Sequence, residues 1–353
     1  MRHGYLFLFF LAVLLLSCHK KDGVRPVTKP GPALIYHQDG EVKQLLYNDP
    51  NGVNIVVLGD AFIKDDLDTG GYYDQQVKNT IDFLFSVAPF KQNKQHFNIY
   101  VVYAESNNRG AASIYPIDIT RTKFTSYFDA NVTRLLIVGN PDMADTYIKK
   151  AVPLEQAHLV LVLVNDPRYG GSGGYYSTTS VNPDSKYIMI HEIGHSFGGL
   201  TDEYIDEELA ASTTRAGATI YPNTDTTNDP KKIKWAHFLD QNAYKGTVSE
   251  FQGGYYFATG VYRPEQGSIM QAFNFINYNA PSREAIVRKI DTIIHIPFNF
   301  NEFLKTDSAS ARPVPALGLA NGPVRLQPIS HDFIGGMDRM HWLKINKKIK
   351  PGE

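Results

Sequence analysis

Short apolar runs alternate with helical patterns along the first half of the chain. Two segments repeat apolar residues at helical spacing, 72–88 and 143–152. Four apolar runs have the length of buried strands, 54–60, 97–104, 134–138 and 158–164. Strands that alternate with helices are typical of a mostly parallel sheet with helices on both faces. The pattern therefore predicts an α/β fold.

The pattern changes after the last of these strands. Segment 166–174 is rich in glycine and is predicted to be irregular, whereas 175–181 alternates sufficiently for an edge strand. Periodicity is lost between Tyr204 and Asn228, so we expect loops in that part of the chain. Two further helices are predicted, at 235–239 and 282–294.

The N-terminus has the pattern of a bacterial lipoprotein signal. Residues 5–16 form an apolar run that is too short to span a membrane as a mature helix, and Arg2 and His3 precede it. Cys18, the only cysteine, follows at the position where a lipoprotein is cleaved and acylated. We therefore expect a signal peptide over 1–17 and an extracytoplasmic protein that contacts the membrane only through a lipid anchor at Cys18.

Composition and charge restrict the classes of partner. Segment 18–33 consists largely of polar residues, glycine and proline, and predicts a flexible tether. The 353 residues are 43% hydrophobic, which is enough for a large core. A net charge of -1 gives no basic field that would attract nucleic acid. We expect a monomer that binds a protein or peptide substrate and no nucleic acid.

The candidate chemistry lies between Ser185 and Leu200, where the chain contains the His-Glu-x-x-His arrangement of zinc peptidases. On an α-helix, His191 and His195 share one face because they are four residues apart, and both imidazoles can therefore bind one metal ion. Glu192 can reach a water molecule at that metal without binding the metal itself. The spacing predicts an active-site helix that binds Zn²⁺, with Glu192 as general base.

A third protein ligand requires the chain to turn back, because a straight helix would carry later residues away from the ion. Gly198 and Gly199 can adopt the left-handed conformation that ends a helix. Asp202 follows and is the predicted third ligand. Glu203 is the alternative third ligand. If Asp202 binds the metal, Glu203 is expected to hold a histidine or the Asp202 loop in place. His237 is also kept as a candidate ligand.

The segment from His191 to His195, followed by Leu200-Thr-Asp-Glu-Tyr204, resembles the signature of the IgA-peptidase family of bacterial metallopeptidases. The resemblance covers about residues 54–296 and implies a zincin or metzincin-like catalytic domain. The sequence departs from the usual metzincin pattern at the position of the third metal ligand. The usual metzincin pattern would place that ligand at Thr201, whereas the acid here is one residue later and agrees with the IgA-peptidase signature.

The same resemblance extends to a later segment of the chain. Tyr262-Arg-Pro, followed by Ser268-Ile-Met270, is similar to the methionine turn that lies beneath the metal in metzincin-type enzymes. Met270 is a soft and adaptable apolar residue that can pack beneath the two histidines. Tyr262 is a candidate catalytic residue, because its hydroxyl could donate a hydrogen bond to the tetrahedral oxyanion.

The predicted domain organisation follows from these features. We predict an α/β, zincin or metzincin-like domain with a twisted, mixed and mostly parallel sheet, an active-site helix and an irregular C-terminal subdomain. The N-terminal subdomain extends over 34–200 and ends in the active-site helix. The C-terminal subdomain extends over 201–304 and contains the methionine turn. The tail over 305–353 has no fold that the sequence can assign.

The predicted function is that of a zinc-dependent endopeptidase that hydrolyses extracellular proteins. The edge strand 175–181 would bind an extended peptide by strand addition, which suits cleavage within a chain. Two other classes stay open: a non-catalytic surface-binding lipoprotein, and a metal-dependent amidase that acts on cell-wall or glycan substrates. The intact Glu192 argues against a non-catalytic protein, because such a protein would not need a general base. The His-Glu-x-x-His arrangement is less typical of amidases that act on cell-wall or glycan substrates.

Overall fold

A computed structural model of the chain describes residues 35–113, 122–129, 134–273 and 275–307. The predicted signal peptide, the anchor at Cys18 and the tether lie outside the described residues, as does the predicted tail from residue 308. The described strands are β1 (Val42–Tyr47), β2 (Val53–Asp60), β3 (Phe97–Val102), β4 (Tyr127–Phe128), β5 (Leu136–Ile137), β6 (Leu159–Val164), β7 (Gly171–Ser172), β8 (Tyr176–Ser180), β9 (Phe251–Gly254) and β10 (Phe257–Arg263).

The described helices alternate with these strands in the first half of the chain and dominate its end. The α-helices are α1 (Tyr72–Leu84), α2 (Pro141–Ala151), α3 (Ser185–Ser196), α4 (Glu207–Ser212), α5 (Ala236–Leu239), α6 (Ala280–Ile293) and α7 (Phe300–Asp307). Short 3-10 helices occupy Lys64–Asp66, Lys94–His96, Leu154–Gln156, Arg215–Ile220 and Asn242–Tyr244. No helix in the described part of the chain combines the length and the apolar composition that crossing a lipid bilayer requires.

A six-stranded sheet with the order β1-β3-β2-β6-β8-β7 forms the centre of the fold. The four inner strands are parallel, and β1 and β7 pair antiparallel at the two edges. All six residues of β6 are buried, as expected for a parallel strand that is covered on both faces. The sheet is therefore mixed and mainly parallel, as the sequence predicts.

Helices cover both faces of this sheet. Successive residues of β2 point to opposite faces, so that Ile55 and Val57 join one apolar cluster while Val56 joins the other. The first cluster contains residues of α1, α3 and α6, and the second contains residues of α2. Every residue of α3 from Tyr187 to His195 is buried. Burial on this scale fixes the rotation of the helix and hence the direction of its polar side chains.

The sheet edge near α3 differs from the prediction. Strand β8 is not an edge strand, because β7 pairs with its outer side through Gly171 with Thr179 and Ser172 with Thr178. The glycine-rich segment was predicted to be irregular, since glycine disfavours strands, but pairing with β8 overrides that local preference. The amide of Gly171 also donates to the carbonyl of Arg134 at 3.0 Å.

Two other predicted elements are corrected by the structure. The strand at 134–138 is reduced to β5, which pairs with β4 in a separate two-stranded sheet and not in the main one. The predicted loops between Tyr204 and Asn228 contain α4 and a 3-10 helix. Helix α4 forms because Asp206 caps it, accepting hydrogen bonds from the amides of Glu208 and Leu209.

The C-terminal half is built around smaller clusters and the hairpin of β9 and β10. One cluster packs aromatic residues from the start of α5, from the 3-10 helix that follows it and from α7, namely Trp235, Phe238, Tyr244 and Phe303. Arg283 of α6 forms a buried ion pair with Asp307, the last described residue of α7, with Nε and Oδ1 2.6 Å apart. The predicted tail from Lys305 therefore begins inside a helix.

Candidate metal centre

Helix α3 directs His191 and His195 toward the same point. Both side chains are buried, and their Nε2 atoms lie 3.0 Å apart. The Nδ1 atom of His191 lies 3.0 Å from the carbonyl oxygen of Ile269, and that of His195 lies 2.9 Å from the carbonyl oxygen of Leu200. A carbonyl oxygen only accepts, so each Nδ1 must donate the hydrogen bond. In the neutral rings, both Nε2 atoms therefore present lone pairs to each other.

Asp202 completes this arrangement because the chain reverses direction after α3. Gly199 adopts a left-handed φ of 61°, and the amide of Leu200 donates to the carbonyl of Gly194 at 3.0 Å. The Oδ1 atom of Asp202 then lies 3.1 Å from Nε2 of His191 and 3.3 Å from Nε2 of His195. Among the described residues, these three form the group of side chains that could hold a metal ion.

The geometry of the three atoms fits a small divalent cation. A tetrahedral ion with bonds of about 2.0 to 2.1 Å separates its ligand atoms by about 3.3 Å, close to the observed separations. Asp202 Oδ1 is buried and has no hydrogen-bond donor. Three converging acceptors in a buried site are unfavourable without a positive charge between them. We conclude that the group is suited to bind a metal ion.

Electrostatics in the centre also favour positive charge. Burial alone would lower the pKa of His195, but the adjacent Asp202 carboxylate raises it to about 9. Burial would likewise raise the pKa of Asp202, yet His195 and His191 hold it well below its ordinary value. In the absence of metal, a proton can supply the positive charge that the site favours. A divalent ion would compete with that proton for the same position.

Glu203 points away from the three ligand atoms and connects three chain segments. Its Oε1 atom accepts hydrogen bonds from Asn223 at 2.7 Å and from Asn279 at 2.6 Å, and its Oε2 atom accepts from Ser268 at 2.7 Å. Burial raises its pKa, while these hydrogen bonds oppose the rise. The amide of Glu203 also donates to the carbonyl of Met270 at 2.8 Å. Glu203 therefore holds the Asp202 loop against the segment that follows β10.

His237 is placed outside the group of converging ligands. It lies in α5, where its Nε2 atom is 2.7 Å from Oε2 of Glu284 on α6. Its ring packs against Phe238 and Phe300. The structure therefore brings Asp202, and neither Glu203 nor His237, to the two histidines of α3.

The segment Ser268–Met270 lies directly beneath the histidines. Met270 is fully buried, and a Cβ atom at Gly194 would stand 2.5 Å from its sulfur. Gly194 lies between the two histidines, so its missing side chain allows this segment to approach the helix closely. The carbonyl of Ile269 in the same segment accepts the hydrogen bond from His191. Met270 thus supports the metal centre from below.

Glu192 is close enough to interact electrostatically with His191, His195 and Asp202, and its carboxylate is free of donors. The side chain is buried, and neither oxygen has a hydrogen-bond partner. Burial raises the pKa of Glu192, and the neighbouring histidines act in the opposite direction. A carboxylate in this state can take up a proton more readily than one in water. Glu192 is therefore suited to accept a proton from a water molecule at the centre.

The hydroxyl of Tyr256 contacts Asp202, whereas the side chain of the predicted Tyr262 packs elsewhere. The side chain of Tyr262 packs against the cluster around Trp235, and its backbone pairs with Asp225. This placement gives no support to the predicted role of Tyr262. The hydroxyl of Tyr256 instead donates to Oδ2 of Asp202 at 2.7 Å. The sequence carries no signal for this contact, because Tyr256 lies in a hairpin turn far from the motif.

A comparison of the sequence with known protein families supports the candidate metal centre. The family of the IgA peptidase M64 matches residues 47–247 and 238–290 of the chain. These ranges contain five of the six strands of the main sheet, from β2 onward, together with α3, the Asp202 loop and the Met270 segment. No curated protein matches the sequence. The match extends over more than half of the chain and includes the buried metal centre, and the chain therefore belongs to the IgA peptidase M64 family and is a metallopeptidase.

Proposed function

We propose that the protein is a zinc-dependent endopeptidase in which His191, His195 and Asp202 hold the metal and Glu192 is the general base. The observation that carries this proposal is the convergence of three buried acceptor atoms beside a carboxylate without donors. Two imidazoles and one carboxylate, with a further position left for water or substrate, are a ligand set typical of catalytic zinc. The segment beneath the histidines supports a metzincin-like arrangement with Met270 in the methionine turn.

The residues at the site have different roles in the proposed hydrolysis. Zn²⁺, when bound, supplies Lewis acidity that lowers the pKa of a nearby water molecule and polarises a carbonyl group. Glu192 accepts the proton of the attacking water and passes it to the amine of the departing product. His191 and His195 keep their Nε2 atoms directed at the centre because Nδ1 of each ring is held by a backbone carbonyl.

The sheet edge near Glu192 offers a place for an extended substrate. Strand β7 runs antiparallel beside β8, and the chain then passes Glu192 at Gly173. The segment around Leu135 covers β7 at Gly171, so the backbone proposed for an extended peptide is the one that follows β7 at Gly173, where the scissile carbonyl would be presented to the metal centre. Such an arrangement requires no free chain end and therefore favours an endopeptidase.

We further propose that the enzyme is anchored outside the cytoplasm through Cys18 and acts as a monomer on protein or peptide substrates. Support for the anchor comes from the apolar run that precedes Cys18 and from the polar tether that follows it. The net charge of -1 supports a substrate other than nucleic acid. The family name does not by itself identify immunoglobulin as the substrate.

The proposal is tested with Glu192→Gln and with metal removal. We expect the purified protein to contain about one zinc per chain, to digest casein, and to lose activity with a chelator and regain it with Zn²⁺. Glu192→Gln should lower the rate of proteolysis by about 10²- to 10⁴-fold while zinc content is unchanged. Glu208→Gln, a substitution on the exposed side of α4, is the matched control and should retain full activity.

The outcomes separate the proposed function from its alternatives. Equal proteolysis by the wild type and Glu192→Gln would rule out Glu192 as the base. Zinc binding without hydrolysis of any protein would favour a surface-binding protein. Release of fragments from peptidoglycan or glycans, but not from protein, would favour an amidase.

A further inference from the structure

The two oxygens of the Asp202 carboxylate face different partners. Oδ1 lies toward the Nε2 atoms of His191 and His195 and has no hydrogen-bond donor, whereas Oδ2 accepts a hydrogen bond of 2.7 Å from the hydroxyl of Tyr256. Asp202 is buried, so that bulk water cannot replace this donor. The hydroxyl of Tyr256 thus donates its hydrogen bond to the carboxylate oxygen that does not face the histidines.

Tyr256 is fastened to the Asp202 loop by its backbone as well. The amide of Tyr255 donates to the carbonyl of Asp202 at 3.0 Å, and the amide of Tyr256 donates to the carbonyl of Tyr204 at 3.0 Å. The carbonyl of Tyr256 accepts from the amide of Asp206 at 2.9 Å. These bonds place the turn between β9 and β10 alongside the residues that follow α3. The hydroxyl is therefore presented to Asp202 by a rigid support.

The backbone of this turn is strained where the tyrosine stands. Gly253 and Gly254 have φ values of 99° and 155°, and Tyr255 and Tyr256 continue with φ values of 47° and 72°. Residues with a Cβ atom avoid this left-handed region, which glycine adopts without cost. Side-chain contacts must therefore compensate for the conformation of Tyr256. The hydrogen bond from the Tyr256 hydroxyl is a side-chain contact that links this strained turn to the Asp202 carboxylate.

We propose that Tyr256 is a positioning residue whose hydroxyl fixes Asp202 so that this carboxylate binds the metal through Oδ1 alone. The inference rests on the proposed metal site. Without the hydrogen bond, the buried carboxylate would be free to rotate or to offer both oxygens to the ion, and its orientation would have to be restricted when the metal binds. Partners that orient a metal ligand contribute about 10- to 100-fold to metal affinity.

The test compares Tyr256→Phe with Tyr255→Phe. Tyr255 is a matched control because it stands in the same turn and also has a left-handed φ, but its hydroxyl lies 3.2 Å from Thr213 and not on the carboxylate. Zinc affinity is measured by competition with a chromophoric chelator, after circular dichroism has shown that each variant is folded. Tyr256→Phe should weaken zinc binding by about 10- to 100-fold, and Tyr255→Phe should leave the affinity unchanged.

Substitution with Co²⁺ provides a second readout that does not depend on activity. The visible absorption of Co²⁺ responds to coordination number, so a carboxylate that binds through both oxygens in Tyr256→Phe should weaken the bands relative to the wild type. Equal zinc affinities and equal cobalt spectra for Tyr256→Phe and the wild type would overturn the role of Tyr256. Absence of zinc binding by the wild type would instead overturn the proposed metal site.

Discussion

The carboxylate of Glu192 occupies the space where a side chain at position 173 would stand. A Cβ atom built on Gly173 would collide with Oε2 of Glu192 and would lie 3.2 Å from its Cδ atom. The glycine that follows β7 thus leaves room for the proposed general base. The position of the Glu192 carboxylate therefore depends on the absence of a side chain at residue 173.

Gly173→Ala should displace the Glu192 carboxylate and lower the rate of peptide hydrolysis by about 10²-fold, because a catalytic group that moves by about 1 Å loses that much. Zinc content should be unchanged, since Glu192 is not one of the three converging ligands. The rate is measured with a quenched fluorescent peptide. In a Glu192→Gln background the same substitution should have little further effect. A full additional loss in that background would show that Gly173 acts independently of Glu192.

Asp202→Asn and Glu203→Gln should separate metal binding from structural support. Asp202→Asn removes the anionic ligand, so zinc affinity should fall by more than the roughly 100-fold expected for an outer partner. Glu203→Gln removes the carboxylate oxygen that accepts from the Ser268 hydroxyl and leaves a buried amide nitrogen there, and should lower the free energy of unfolding by about 2 to 3 kcal/mol. Zinc competition and urea unfolding report the two effects. Loss of zinc binding in a folded Glu203→Gln protein, with Asp202→Asn unaffected, would reverse the assignment.

The buried pair of Arg283 and Asp307 should make a large contribution to stability. Both side chains are at most 2% exposed, so Asp307→Asn would leave the guanidinium without its counter-charge. We expect this substitution to lower the free energy of unfolding by about 3 to 5 kcal/mol. The control is Glu302→Gln in the same helix, whose ion pair with Lys305 is solvent-exposed and worth about 1 kcal/mol or less. Similar losses for both variants in urea unfolding would contradict this prediction.

His158 should contribute to the pH dependence of stability. Burial, together with the positive charge of Lys289, lowers its pKa to about 4, and its Nδ1 atom accepts a hydrogen bond from the amide of Asn54 at 2.9 Å. The unfolded chain, with a pKa of about 6.5, therefore takes up the proton first, and stability is lost as the pH falls from about 6.5 toward 4. The half-buried ring reduces the expected loss to about 1 to 2 kcal/mol.

The variant His158→Asn isolates this contribution, because its amide oxygen can accept the same hydrogen bond and does not titrate. Between pH 7 and about pH 4.5, the free energy of unfolding of the wild type should fall further than that of the variant. Parallel pH profiles for the two proteins would show that His158 is not responsible.

The parts of the fold that follow local patterns could be predicted from the sequence. The apolar run of β6 and the periodicity of α1 are local features, and both elements lie within a residue or two of the predicted start. The edge at β7 could not be predicted, because Gly171 and Ser172 have no local preference for a strand and pair only through tertiary contact. The same holds for β5, whose short apolar run does not specify its partner.

At the metal centre, too, some contacts could be predicted from the sequence and others could not. Helical spacing is sufficient to bring His191 and His195 together, and the turn at Gly199 makes Asp202 a reasonable third ligand. The contact between Tyr256 and Asp202 depends on how a distant hairpin packs, which no spacing along the chain encodes. Tyr262 was selected because it lies next to a recognisable motif, whereas the structure packs its side chain into the cluster around Trp235, and its catalytic role stays a prediction.

Glu203 connects the loop after α3, the segment before α6 and the loop at Asn223, and it does so with protein atoms alone. The loop that carries Asp202 is therefore held by hydrogen bonds in which none of the three converging side chains takes part. We expect these hydrogen bonds to persist when a chelator removes the ion, so that the metal-free protein takes up Zn²⁺ again without a denaturing step.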